Sequence, residues 1–269
     1  MTQSTPAIRL AGATKAFPDA GGGSFTAMRD VTFDVAPGEF VSVVGPTGCG
    51  KSTTLSLISG LEPATAGEVA VSGTPVAGIP STVGYMFQQD AVLPWRTVRD
   101  NVALGLRYRG VSKAEAREQA QGWIARVGLD GFERYYPHQL SGGMRKRVAM
   151  AQTLITEPEI ILMDEPFGAL DVQTRELMQA ELLRLWAGSK AAVVFVTHDL
   201  TEAIALADRV VVMTAAPATV KSIVAVDLPR PRMVDEIRLQ PDFLALYRDV
   251  WHALREEVEI ARARGAVRG

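Results

Sequence analysis

Cysteine is all but missing. Cys49 stands alone among 269 residues, which excludes an intramolecular disulfide and suits a reducing cytoplasm. Histidine is scarce too: the three, His138, His198 and His252, have no zinc-site spacing. Charge of one sign is not in excess. Lys+Arg number 28 against 30 Asp+Glu, a formal −2, so there is no basic surplus or stripe to hold nucleic acid. The densest basic run, Arg145-Lys146-Arg147, reads as a solvated helix face. Long hydrophobic runs are missing as well. No stretch approaches the ~18–20 apolar residues that span a bilayer. Met1–Leu10 shows no basic segment followed by an apolar run, so no signal peptide is expected. Work at a membrane would need another protein's spanning helices. Repeats of solenoid period are lacking, and with 47% hydrophobic and 22% charged residues no stretch is polar enough to be disordered. What remains is a chain able to bury a sizeable core, as one large domain or a domain with an embedded subdomain.

The pattern along the chain changes character twice. Ile8–Phe17 and Val31–Val35 read as strands around a turn at Asp19–Gly23, Phe40–Val44 as a short strand, and Lys51–Ser59 as a helix. Strands are expected near Glu68–Ser72 and Thr82–Phe87. From about Thr97 to Thr156 the chain turns helical, with candidates at Val98–Arg109, Lys113–Val127 and Gly142–Ile155. Alternation then resumes, with strands at Ile160–Met163, Val193–Val196, Val210–Met213 and Val220–Val226, and a helix at Val172–Trp186. This pattern predicts an α/β sheet domain with a helical subdomain, about 97–156, inserted near its middle. The domain runs to about residue 240, and 241–269 form a last helix. Its face of Phe243, Leu246, Tyr247, Val250, Trp251, Leu254, Val258 and Ala261 suits packing on that domain. A membrane or partner helix would lack its basic polar face, because Glu256, Glu257 and Glu259 intervene.

Three stretches carry chemistry. Gly45-Pro46-Thr47-Gly48-Cys49-Gly50-Lys51-Ser52-Thr53 has the spacing G-x-x-x-x-G-K-[ST] of a phosphate-binding loop between a strand and a helix. Its glycines let backbone N–H groups curl round a phosphate, and the helix behind points its positive end at the same anion. Lys51 reaches the β- and γ-phosphates of ATP, and the Ser52 hydroxyl suits Mg²⁺. A chance match in this length is on the order of one per cent, so the signal is strong. Ile160–Glu165 is a buried strand ending in two carboxylates. Asp164 is placed to hold Mg²⁺ opposite Ser52, and Glu165 to act as general base toward the attacking water. Alone, an Asp-Glu after a strand is more often a loop pair. Ser141, Gly142 and Gly143 open a helix as an N-cap and two glycines, which is either a capped helix and nothing more or a second small anion cradle.

Taken in order, Gly45–Thr53, Gln88, Leu140–Met144, Asp164-Glu165, Ala169-Leu170-Asp171 and His198 resemble the nucleotide-binding subunits of ATP-binding-cassette (ABC) transporters. The resemblance spans about residues 8–228, and Leu-Ser-Gly-Gly is its diagnostic element. It implies a P-loop NTPase core with an antiparallel β subdomain and an inserted helical subdomain. It also implies a head-to-tail dimer, in which Ser141–Gly143 of one subunit close on the γ-phosphate held by the other's phosphate loop. Phe17, just after Lys15, would stack on adenine, with ordinary core as its alternative. Gln88 would sense Mg²⁺ and link to membrane subunits, Asp171 would make a dimer contact, and His198 would orient the attacking water.

Leu93-Pro94-Trp95 and the run Asp164–Asp171 are similar to the branch serving importers of nitrate, sulfonate and taurine. The Leu-Pro-Trp stretch suits docking on a permease, or else a satellite core under a loop. The resemblance implies an ATPase subunit peripheral to the cytoplasmic face of the membrane, with ATP and Mg²⁺, permease subunits, and indirectly a solute-binding protein. Rivals are an exporter or lipid mover, a non-transport cassette ATPase, and a module that closes on ATP without turnover. Gln152, where arginine is frequent, has no account from sequence, and a separate regulatory domain is not expected. Cys49 has two readings: a thiolate favoured by the helix N-terminus and Lys51, or a small buried filler.

Overall fold

A computed structural model describes residues 5–19 and 22–266. Its first sheet is antiparallel. β1 (Ile8–Pro18) pairs with β2 (Ser24–Val35) from Ile8↔Val35 to Pro18↔Ser24, and on its other edge with β4 (Ala66–Val71), which carries the short β5 (Thr74–Pro75). β2 starts at Ser24, well before Val31, because the register with β1 slips between Ala13 and Ala16. Ala27 and Met28 are therefore buried in succession and the alternation that marks a strand is lost.

The second sheet follows the order β10-β9-β3-β8-β7-β6, from β3 (Phe40–Val44), β6 (Val83–Met86), β7 (Ile160–Asp164), β8 (Ala192–Val196), β9 (Arg209–Met213) and β10 (Val220–Ala225). Five of these strands run parallel and only β10 is antiparallel to its neighbour. Period-two geometry sends alternate residues to opposite faces. Val41, Val43, Ile160, Leu162, Val194 and Val196 meet the first sheet and α1 (Lys51–Ile58). Phe40, Val44, Ile161, Met163, Val193 and Phe195 meet α6 (Val172–Ala187) and α7 (Leu200–Leu206).

Between β6 and β7 lie α2 (Val98–Val102), α3 (Leu104–Tyr108), α4 (Lys113–Arg126) and α5 (Gly142–Leu154), around an apolar cluster that includes Val98, Val102, Ile124, Val127 and Val148. The helix expected over 98–109 is broken at Ala103, just before Gly105, a poor helix former. α7 and α8 (Val234–Ile237) carry no amphipathic signal: they are short, and α7 is buried almost all round. α9 (Pro241–Ala266) buries Phe243, Val250 and Leu254 against the second sheet's outer cluster, while Trp251 on the expected face is exposed. No helix among the described residues is long and apolar enough to cross a membrane.

Candidate functional site

The parallel strands set the site, because their C-terminal ends lie side by side and each releases a loop there. From β3 the chain enters Gly45–Thr53. Gly48 and Gly50 take φ of 73° and 119°, a region that side chains resist. A Cβ added to Gly45 would sit 2.8 Å from Cys49 Sγ and 3.2 Å from Met213 O, so any side chain there would force its neighbours to shift. The Lys51 side chain, only 6% exposed, donates from Nζ to the carbonyls of Gly45 and Pro46 at 3.1 and 3.2 Å. Cys49 is buried and burial pushes its thiol up, outweighing the charge of Lys51 and the backbone donors. This corrects the thiolate reading: a helix N-terminus lowers a thiol only where the thiol is not first desolvated.

From β7 the chain delivers Asp164 and Glu165. Ser52 Oγ donates to Asp164 Oδ1 at 2.9 Å. Burial pushes the Asp164 carboxyl up, the Ser52 donation opposes this, and the Glu165 charge adds to it. Tyr85 on β6 faces this carboxylate, and burial together with Asp164 drives its phenol well above the usual range. Sequence reasoning missed Tyr85. The only signal was its place in a strand pairing in register with Leu162. Glu165 holds φ at 44°, an unusual conformation for a non-glycine residue, with its N–H bonded to Val196 O at 2.9 Å. Its Oε2 is met from two sides: Gln88 Nε2 donates at 3.3 Å and His198 Nδ1 lies at 3.1 Å. Gln88, Glu165 and His198 therefore converge, each at the end of a different parallel strand. His138 and His252 are exposed elsewhere.

Ser141 caps α5 through the Met144 N–H at 3.3 Å, and Asp171 caps α6 through the Thr174 N–H at 3.0 Å. That donation holds Asp171 below the usual carboxylate range. The two caps are neighbours, since a Cβ on Gly143 would lie 2.7 Å from Thr174 Cγ2. Among the described residues, no hydrogen bond joins Ser141–Gly143 to Gly45–Thr53. Phe17 is partly exposed, with Lys15 Nζ 4.9 Å from its ring centroid, and so lies outside the apolar clusters.

The basic run departs from its expected role. Lys146 is 4% exposed, pairs with Asp90 Oδ1 at 2.7 Å and donates to Gln88 O at 3.4 Å. Arg145 also approaches Asp90, at 3.6 Å, and Arg147 donates to Val127 O. Lys146 is thus a buried tie between α5 and the segment after Gln88, while Arg145 and Arg147 stay partly exposed. Trp95 is 71% exposed, which removes it from any satellite core. Gln152 lines a cavity with Tyr85, Phe87 and Tyr108, and its Oε1 is buried without a partner. Ser52, Asp164 and Gln88 offer hydroxyl, carboxylate and amide oxygens, the hard donors that Mg²⁺ selects.

Comparison with known proteins follows the same outline. The sequence profile of the ABC transporter family matches residues 28–168. An uncharacterized ABC transporter ATP-binding protein of Methanocaldococcus jannaschii is 46% identical over 251 residues, 93% of this chain and 92% of its own. An aliphatic sulfonates import ATP-binding protein of Bacillus cereus is 40% identical over 210 residues, covering 78% of this chain and 82% of that one. A nitrate import ATP-binding protein of Synechocystis is 39% identical over 238 residues, 87% and 90%. Among solved structures, a dimeric ATP-binding cassette in a post-hydrolysis state with ADP and Pi superposes with a TM-score of 0.72 at 32% identity. It covers 82% of this chain and all of its own. Fold, loop and relatives agree, and the chain belongs to the ABC transporter family as an ATP-binding cassette subunit.

Proposed function

We propose that this subunit hydrolyses ATP to drive an importer of a small anionic solute such as a sulfonate or nitrate, from the cytoplasmic face of the membrane. The observation that carries hydrolysis is the convergence of Gln88 and His198 on one oxygen of Glu165, beside the Ser52–Asp164 bond. In this reading Gly45–Thr53 cradle the phosphates and Phe17 stacks on adenine. Mg²⁺ would be held by Ser52, Asp164 and Gln88, and when bound it supplies charge neutralisation at the phosphates. Glu165 accepts a proton from the attacking water while the water oxygen bonds to the γ-phosphorus. The bond to the β–γ bridging oxygen breaks, giving ADP and phosphate. His198 orients that water, and Lys51 stabilises the charge that develops.

Ser141, Gly142 and Gly143 serve the nucleotide of a second copy of this chain, and Asp171 lies at that contact. The exposed positions of Ser141 and Asp171 support this, as does the dimeric state of the solved relative. The solute class is supported by the names of the sulfonate and nitrate relatives, and the permease as docking partner by exposed Trp95 near Gln88. Glu165→Gln tests the chemistry: it should spare Mg-ATP binding and lower turnover by ~10²-fold or more. Near-normal steady-state phosphate release from that variant would falsify the assignment.

A further inference from the structure

The phosphate loop rests on a second loop, and that loop is held from outside the sheet. Residues 214–219 connect β9 to β10. At one end Met213 backs Gly45: a Cβ there would stand 3.2 Å from both Met213 Cβ and Met213 O. At the other end Ala218 backs Gly50, with Ala218 Cβ 3.7 Å from the position of a Gly50 Cβ. Ala218 is also tied to β2, donating to Ala27 O at 2.9 Å and accepting from the Arg29 N–H at 2.8 Å. Between these supports, the buried Ala215 N–H has no partner in either sheet. It donates to Glu257 Oε2 on α9 at 2.9 Å.

Glu257 is itself only 6% exposed, and its other oxygen accepts from Lys221 Nζ at 2.8 Å. A carboxylate is rarely this buried without a task that fixes it, and here both oxygens are satisfied. Further along α9, Arg264 donates to Ala216 O, a second hold on the same loop. Ala261 and Arg264 also share a cavity with Thr47 and Gly48 at the tip of the phosphate loop. Two residues of α9 thus hold the Ala215 N–H and the Ala216 carbonyl of the loop whose Ala218 backs Gly50. The family profile ends at residue 168, far short of this helix.

We propose that Glu257 is a positioning residue for the phosphate loop, through which α9 holds residues 214–218, and with them Ala218, against Gly50. Its absence should loosen the phosphate loop and leave the strands below intact. The chain's single thiol reports on this directly. Cys49 is buried inside the loop at 1% exposure, so a maleimide reaches it only when the loop opens. Well below the melting temperature, Glu257→Ala should speed labelling of Cys49 by about tenfold. It should also weaken Mg-ATP binding about tenfold while turnover at saturating ATP stays near wild type.

Glu257→Asp keeps the charge but falls one methylene short of Ala215. It should show an intermediate labelling rate, and it carries the test if Glu257→Ala does not fold. Glu257→Gln gives up the ion pair but keeps an oxygen for the Ala215 N–H, and Lys221 keeps Glu256 as partner, so its labelling should stay within about twofold of wild type. Labelling rates equal in wild type, Glu257→Ala and Glu257→Asp would overturn the proposal. So would a Glu257→Gln rate as high as that of Glu257→Ala. The affinity arm rests on the phosphate-loop reading above and the labelling arm does not. Faster labelling in a chain that never binds Mg-ATP would sink the nucleotide reading and leave the role of Glu257 standing.

Discussion

Lys146 illustrates what a run of charge conceals. Three consecutive basic residues on a helix were expected in water, yet the middle one is enclosed against Asp90. A lysine shut in with one carboxylate depends on it. Asp90→Ala should cost roughly 3–5 kcal/mol in denaturant unfolding, because a buried cation loses its partner. The double change Asp90→Asn, Lys146→Met should lose far less, because no charge is stranded. Glu202 is a second enclosed ionisable group. It accepts from Thr197 Oγ1 at 2.7 Å and Gln179 Nε2 at 2.9 Å, and burial pushes its carboxyl up. The folded state then binds its proton more tightly than the unfolded chain does. Its contribution to stability is greatest below the ordinary value of 4.5 and falls as pH rises toward the raised folded value. Thermal melts at acid and neutral pH should therefore show Glu202→Gln gaining on wild type as pH rises. At this scale the phosphate loop was legible, because nine adjacent residues carry it. The enclosure of Lys146 and the place of Tyr85 beside Asp164 were not, because burial is decided by distant strands, and burial of Cys49 was one of two readings.

Elements were legible where length and composition settle the type, even with both faces buried. β3, β7 and β8 appeared with nearly their observed bounds, since their length and β-branched composition leave few alternatives. The β2 start, the break at Ala103 and the short α7 escaped, because each depends on register, packing or complete burial. The segment from Gln88 to Thr97 is neither helix nor strand, yet it is anchored. Asn101 is fully buried, and it accepts from the Leu93 N–H at 2.7 Å and donates to Leu93 O, Arg96 O and Thr97 O. Asn101 thus fixes the loop and leaves Trp95 outside it. Trp95→Ala should change unfolding free energy by less than about 0.5 kcal/mol, as an exposed site does. Co-purification with the permease should fall markedly. A variant that lost its fold alone, without any membrane partner, would contradict the docking role.

For the whole molecule, the question is whether one chain completes a site. Ser141–Gly143 and Gly45–Thr53 share no hydrogen bond within the chain, so the cross-subunit reading makes a direct claim. Ser141→Arg and Lys51→Ala homodimers should each be inactive. A crosslinked mixed dimer confines both lesions to one site and should recover up to about half of wild-type phosphate release, less where the two sites are strictly coupled. Activity no higher than that of either parent would count against sharing. The strand order has a separate consequence for biosynthesis. β3 carries the phosphate loop but pairs only with β8 and β9, which lie some 150 residues later in the chain. The first sheet is built mostly from near neighbours and can form early on the ribosome. The apolar run Phe40–Val44 must instead wait with both edges unpaired until residue 196 has been made, and with one until residue 213, roughly ten to thirty seconds at ordinary elongation rates. A segment that ends up fully enclosed is, during synthesis, left open for long, and it is there that a chaperone would find its client.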